Sequence, residues 1–180
     1  MTIERVMSIA VKGTIALACV VVTINASLDI YERLHAPAGT TRPVVVPFQP
    51  GAKAPAVPGI DFGKSTRTLL LFVSTTCSHC RKSSPFYGKL VTAAARATRN
   101  QARLSVVAVF PQNVTEVDAF KTRMKLNIES VANVRMDSVG VTATPTMVLV
   151  SQSGRVARAW VGSEGKDTQD AVYSALLAGS

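Results

Sequence analysis

The uninterrupted apolar run Leu69-Leu70-Leu71-Phe72-Val73 is followed, across Ser74-Thr75-Thr76, by the tetrapeptide Cys77-Ser78-His79-Cys80. A run of strand length without a polar residue is the pattern of a strand buried on both faces of a sheet. The residues from Ser78 onward carry helical periodicity, so the strand delivers two cysteines to the first turn of a helix. Any fold for this chain has to cover both faces of that strand and still leave its carboxyl end open.

The periodicity predicts strands over 68–74, 104–110 and 131–136 and a hairpin over 146–151 and 156–161, turned by Gln152-Ser153-Gly154-Arg155. Helices are expected over 78–98, with a kink at Pro85 where a ladder amide is lost, over 115–126, capped at Thr115 with Asp118 three residues on, and over 167–177, capped by Asp167. The order is α/β. It predicts a central mixed sheet flanked by helices on both faces.

Upstream, residues 6–30 contain the apolar stretch Gly13-Thr14-Ile15-Ala16-Leu17-Ala18-Cys19-Val20-Val21-Val22-Thr23-Ile24, preceded by Arg5 and Lys12. The length matches the ~20 residues that cross a bilayer. Basic residues on its amino side keep that end in the cytoplasm and export the remainder. Residues 1–33 are therefore read as an N-terminal transmembrane helix that is retained, with a cleaved signal peptide as the alternative, against which the absence of a clean Ala-x-Ala site speaks. Cys19 is then a small apolar side chain within it. Residues 34–59 hold Pro37, Pro43, Pro47, Pro50, Pro55 and Pro58 and read as a semi-rigid proline-rich linker, with Val44-Val45-Val46 available as an edge strand. Residues 60–180 form the folded domain. The expected location is a bacterial-type inner membrane, crossed once, with the carboxyl-terminal domain in the periplasm.

The net charge of +9 is spread along the chain without a basic block or a stacking motif, so the reading includes no nucleic-acid partner. A single Cys-x-x-Cys without a second pair does not make a four-cysteine zinc site. No metal and no cofactor are expected. Two cysteines at i and i+3 on one helical turn lie within disulfide reach. The free amides and partial positive charge of the helix start stabilise a thiolate. Cys77, the earlier and more exposed of the two, is the expected nucleophile, and Cys80 the residue that resolves a mixed disulfide. Ser78 and His79 lie between them as thiolate-tuning residues, and Arg81 and Lys82 add to the positive field. Stabilising the thiolate stabilises the reduced form, which leans the pair towards an oxidising poise.

Together with Val141-Thr142-Ala143-Thr144-Pro145-Thr146 at the entry to a later strand, this arrangement resembles the thioredoxin-like fold over about residues 60–178. The resemblance implies a cis peptide at Pro145 facing the dithiol, and a Thr144 backbone that pairs with an extended, cysteine-containing protein substrate. The interval between Cys80 and Pro145 has room for an inserted helix and strand at 112–136, which is similar to the membrane-anchored TlpA-like thiol-disulfide oxidoreductases. That likeness implies a membrane or periplasmic redox partner. The chain departs from the family pattern at three places. Thr76 replaces the usual tryptophan before the first cysteine, Leu71 stands where thioredoxin carries a buried carboxylate, and Ser83 stands where many TlpA-like reductases carry glutamate.

Two other readings of the dithiol compete. A peroxiredoxin would need proline and threonine where Leu70 and Ser74 stand. A non-enzymatic, membrane-anchored interaction or assembly module would use Cys77 and Cys80 only as a structural disulfide.

Overall fold

The computed structural model describes residues 48–99, 103–162 and 165–178, all within the compact unit Val45–Ser180. The expected transmembrane segment at 1–33 and the Val44–Val46 strand lie outside the described residues. Among the described residues no helix is long and apolar enough to cross a membrane.

The central strand is β1, Arg67–Phe72. It pairs in parallel with β2, Leu104–Val109, through Leu69↔Val106 and Leu71↔Ala108, and antiparallel with β4, Thr146–Ser151, through Leu70↔Val148 and Phe72↔Thr146. Outside these lie β3, Glu129–Val131, parallel to β2, and β5, Val156–Val161, antiparallel to β4. The order β3-β2-β1-β4-β5 makes one mixed sheet. Leu69 through Phe72 are fully buried, as a strand with two covered faces requires.

What covers those faces differs from the expectation of helices on both. Leu69, Leu71 and Val73 share one cluster with Phe86, Tyr87, Leu90, Val117, Phe120, Val172 and Leu176. These come from the helices α2, Ser84–Arg99, α3, Val114–Met124, and α4, Lys166–Leu177. Leu70 and Phe72 pack instead with Phe48, Ala54, Val57, Val134, Val139 and Val141, which lie outside helices. Phe48 stacks on Phe72 with ring centroids 6.1 Å apart. The backbone around residue 53 is bonded to the hairpin, Gly51 N–H to Val156 O at 2.8 Å and Ala54 N–H to Gly154 O at 2.9 Å. The described part of the proline-rich segment is thus packed on the sheet. Irregular backbone suffices for this cover because the hairpin and the neighbouring turns take up its polar groups.

Four local boundaries differ from the sequence expectation. The helix expected over 78–98 is two: α1, Ser78–Lys82, and α2, separated at Ser83. Pro85 falls in the first turn of α2, where the amide it lacks would have no helical partner, so it starts a helix instead of kinking one. The cap of α3 is Asn113, not Thr115. Asn113 Oδ1 accepts the Glu116 amide at 3.0 Å and Glu116 Oε2 accepts the Asn113 amide at 3.3 Å, closing a capping box two residues early. β3 ends at Val131 because the chain turns there, with Asn133 in left-handed backbone at φ 58°. At the start of α4, Gly165 holds the cap position without a side-chain bond, and Asp167 lies within the first turn.

Candidate functional site

β1 and β2 run side by side in parallel, so their carboxyl ends open at the same edge of the sheet. β4 runs the other way, and its first residue, Thr146, pairs with Phe72, the last residue of β1. The pairing therefore brings three segments together: Ser74–Cys77 after β1, Pro111–Asn113 after β2, and Thr144–Pro145 before β4. Crevices at the carboxyl ends of parallel strands are where open α/β sheets place their chemistry.

Cys77 is the N-cap of α1, with extended backbone at φ −73° and ψ 120°. Its sulfur accepts the Cys80 amide at 3.2 Å and its thiol donates to the Thr144 carbonyl at 3.4 Å. The Thr144–Pro145 peptide is cis, and Pro145 is buried. Cys77 is half-buried, Cys80 is fully buried, and both are free thiols.

The two sulfurs occupy opposite electrostatic situations. Burial alone would push Cys77 up, but hydrogen bonds from the Cys80 side chain and amide, the Thr144 side chain and the His79 amide outweigh it, and the thiol lies below its ordinary value of 9.0. For Cys80 burial dominates, and with the hydrogen bond to Cys77 and the charge of its thiolate it pushes the thiol up to about 12. The Ser74 amide and the Thr144 side chain offset part of this. The arrangement provides one half-buried, ionisable nucleophile and one fully buried thiol that keeps its proton. Such a pair can attack a disulfide and then close on itself.

No protein-family model and no curated protein matches the sequence, whereas solved structures do match. The thioredoxin domain of a thiol-disulfide oxidoreductase from Bacteroides vulgatus superposes with a TM-score of 0.59 at 20% identity, covering 72% of this chain and 99% of that one. A thiol:disulfide interchange protein from a Bacteroides species gives 0.57 at 19% identity, covering 74% and 94%. A secreted disulfide oxidoreductase from Mycobacterium tuberculosis gives 0.51 at 18% identity, covering 64% and 82%. The fold is thioredoxin-like.

Within this thioredoxin-like frame, the residues read from the sequence meet at one place: Cys77, Cys80, Thr144 and Pro145. Ser78 and His79 are exposed on α1, and His79 acts on the Cys77 sulfur through its backbone amide. Leu71 is buried in the same apolar cluster as Cys80, so the position of the missing carboxylate is filled by hydrocarbon. Ser83 is buried, and its amide donates to the His79 carbonyl at 2.9 Å. Among the described residues no group of three or more His, Cys, Asp or Glu side chains could hold a metal ion.

One residue of the site is absent from the sequence reading. Gln112, half-buried at the end of the β2 connection, reaches Thr75 and Ser74 with both ends of its amide. No local motif marks it, because its partners lie at 37 and 38 residues' separation.

Proposed function

We propose that this chain is a thiol-disulfide oxidoreductase that exchanges disulfides with cysteine-containing protein substrates through Cys77-Ser78-His79-Cys80. The observation that carries the reading is the placement of Cys77. Its sulfur sits on the Cys80 amide at 3.2 Å and opposite the Thr144 carbonyl at 3.4 Å, with Cys80 buried behind it. In the reductive direction the Cys77 thiolate attacks one sulfur of the substrate disulfide and expels the other as a thiolate. Cys80 then loses its proton and attacks the Cys77 sulfur. The Cys77–Cys80 disulfide forms, the second substrate thiolate leaves, and two electrons have passed to the substrate. The oxidative direction is the same sequence reversed. Thr144 and Pro145 flank the site at the entry of β4, where an extended substrate backbone can lie beside them.

With a hydrocarbon cluster in place of a carboxylate near Cys80, the proton leaving that thiol passes to water or to the departing substrate thiolate. The apolar segment at 6–30 and its flanking basic residues support a single-pass inner-membrane anchor, with this domain in the periplasm and a membrane or periplasmic redox partner. The likeness to TlpA-like proteins is consistent with that placement.

The test is a trapping experiment in cells. A full-length Cys80→Ala protein lacks the resolving thiol and should accumulate reductant-sensitive adducts with cysteine-containing proteins. Cys77 of intact spheroplasts should also react with a membrane-impermeant maleimide. Absence of adducts, or equal adducts from a Cys77→Ser/Cys80→Ala chain, would overturn the exchange reading. Protection of Cys77 until the membrane is lysed would overturn the location.

A further inference from the structure

We propose that Gln112 is a positioning residue for the Cys77 nucleophile, acting through the Ser74–Thr76 turn that presents it. The proposal rests on the dithiol reading above and extends it to a residue outside the motif.

The hydrogen-bond directions follow from the chemistry of the groups. The Thr75 amide can only donate, so the atom facing it at 3.2 Å is Gln112 Oε1, and Nε2 is left to donate to Ser74 Oγ at 2.8 Å. Ser74 Oγ also accepts the Thr76 amide at 3.3 Å. With both of its acceptor positions used, its own proton goes to Thr76 Oγ1 at 2.9 Å. Arg81 Nη1 closes the other side by donating to the Thr75 and Thr76 carbonyls at 3.4 and 3.3 Å. The Ser74 carbonyl accepts the Cys77 amide at 3.2 Å. The turn is therefore saturated, and each bond in it depends on the orientation of the next.

The origin of these bonds sets Gln112 apart. Arg81, Ser74 and Thr76 all belong to the segment that carries the dithiol, and they would move with it. Gln112 belongs to a different element. Its carbonyl accepts the Asn133 amide at 2.8 Å, while the Phe110 amide donates to Val131 O at 2.8 Å and the Val134 amide to Phe110 O at 2.9 Å, so the corner after β2 is fixed to the chain leaving β3. Gln112 transfers that fixity to the turn. Thr76 is exposed and small, so it supplies no apolar anchor that would do the same. The Ser74 amide also faces the Cys80 sulfur, so the residue that Gln112 holds lies against the second thiol as well.

The test is the pH profile of Cys77 alkylation by iodoacetamide in the full-length reduced protein. Gln112→Met keeps the length of the side chain and removes both hydrogen bonds. Alkylation at neutral pH should slow about tenfold, the equivalent of roughly one net hydrogen bond, and the midpoint of the profile should rise. Ser74→Ala, which deletes one oxygen, should reproduce both effects and carries the test if the change at 112 prevents folding. Ser74→Thr, which keeps the hydroxyl, should stay near the parent. The Gln112→Met/Ser74→Ala double variant should be no slower than either single variant, since the two residues act through one chain of bonds. An unchanged midpoint in Gln112→Met or in Ser74→Ala, or losses that multiply in the double variant, would overturn the proposal. Alkylation needs no substrate protein, so this outcome is separate from whether Cys77→Ser abolishes disulfide exchange.

Discussion

The asymmetry of the two thiols can be tested by challenging the reduced protein with iodoacetamide as the pH is raised. With Cys80 at about 12 and Cys77 below 9.0, the thiolate population of Cys77 at about pH 8 exceeds that of Cys80 by ~1000-fold or more. The more basic thiolate is intrinsically the better nucleophile, and a Brønsted slope of ~0.4–0.5 over a gap of ~3 units returns a factor of ~15–30 to Cys80. Cys77 should therefore still react at least ~30-fold faster on ionisation alone, and the complete burial of Cys80 widens the gap. Fragment-ion mass spectrometry after timed quenching assigns the label to one sulfur or the other. Labelling of Cys80 at a rate comparable to Cys77, or a Cys77 midpoint at or above 9.0, would refute the assignment of nucleophile and resolver.

Other consequences concern stability. Cys80 titrates higher in the fold than in the unfolded chain, so its protonated form is the one the fold favours. That contribution is complete below the ordinary value of 9.0 and is lost as pH rises towards about 12. In urea titrations across that window the reduced parent should lose stability more steeply than Cys80→Ala, and equal slopes would contradict the burial of an un-ionised thiol. Leu71→Ala empties a fully buried position beside β2 and β4 and should cost ~2–5 kcal/mol in the same assay. Phe48→Ala removes the ring stacked on Phe72 and should cost ~3 kcal/mol, whereas a segment that merely tethers the domain would lose nothing. Asn113→Ala opens the capping box of α3 and should cost ~1 kcal/mol, a change that Thr115→Ala should not reproduce.

How far the sequence could be read depended on whether the signal was local. Leu69–Val73 announced a doubly covered central strand by composition alone, and the hairpin of β4 and β5 followed from two β-rich runs around a Gly-containing turn. Cys77, Cys80, Thr144 and Pro145 were legible as a site because a motif and a strand entry marked them. The cover over Leu70 and Phe72 was not, because Phe48, Val57, Val134, Val139 and Val141 come from irregular segments with no period to detect. The sequence points to Thr115 as the cap of α3, yet Asn113 offers the same pattern, a side-chain oxygen with an acidic residue three further on. Only the extended backbone at Asn113, φ −71° and ψ 166°, decides between them. Gln112 had no marker at all, since its part in the site exists only once β1 and β2 lie side by side. The departures at Thr76, Leu71 and Ser83 were visible in the sequence, and the structure supplies their physical meaning. Hydrocarbon fills the position of Leu71 behind the resolving thiol, and a polar clamp of Gln112, Ser74 and Thr76 stands where an aromatic anchor would be.

The central claim is that Cys77 and Cys80 exchange disulfides, and the most direct measurement is the rate of insulin disulfide reduction by the full-length chain in detergent with a thiol reductant. The parent should accelerate precipitation of the insulin B chain well above the reductant alone, and Cys77→Ser should return the rate to that background. Equal rates for the parent and Cys77→Ser would contradict the account.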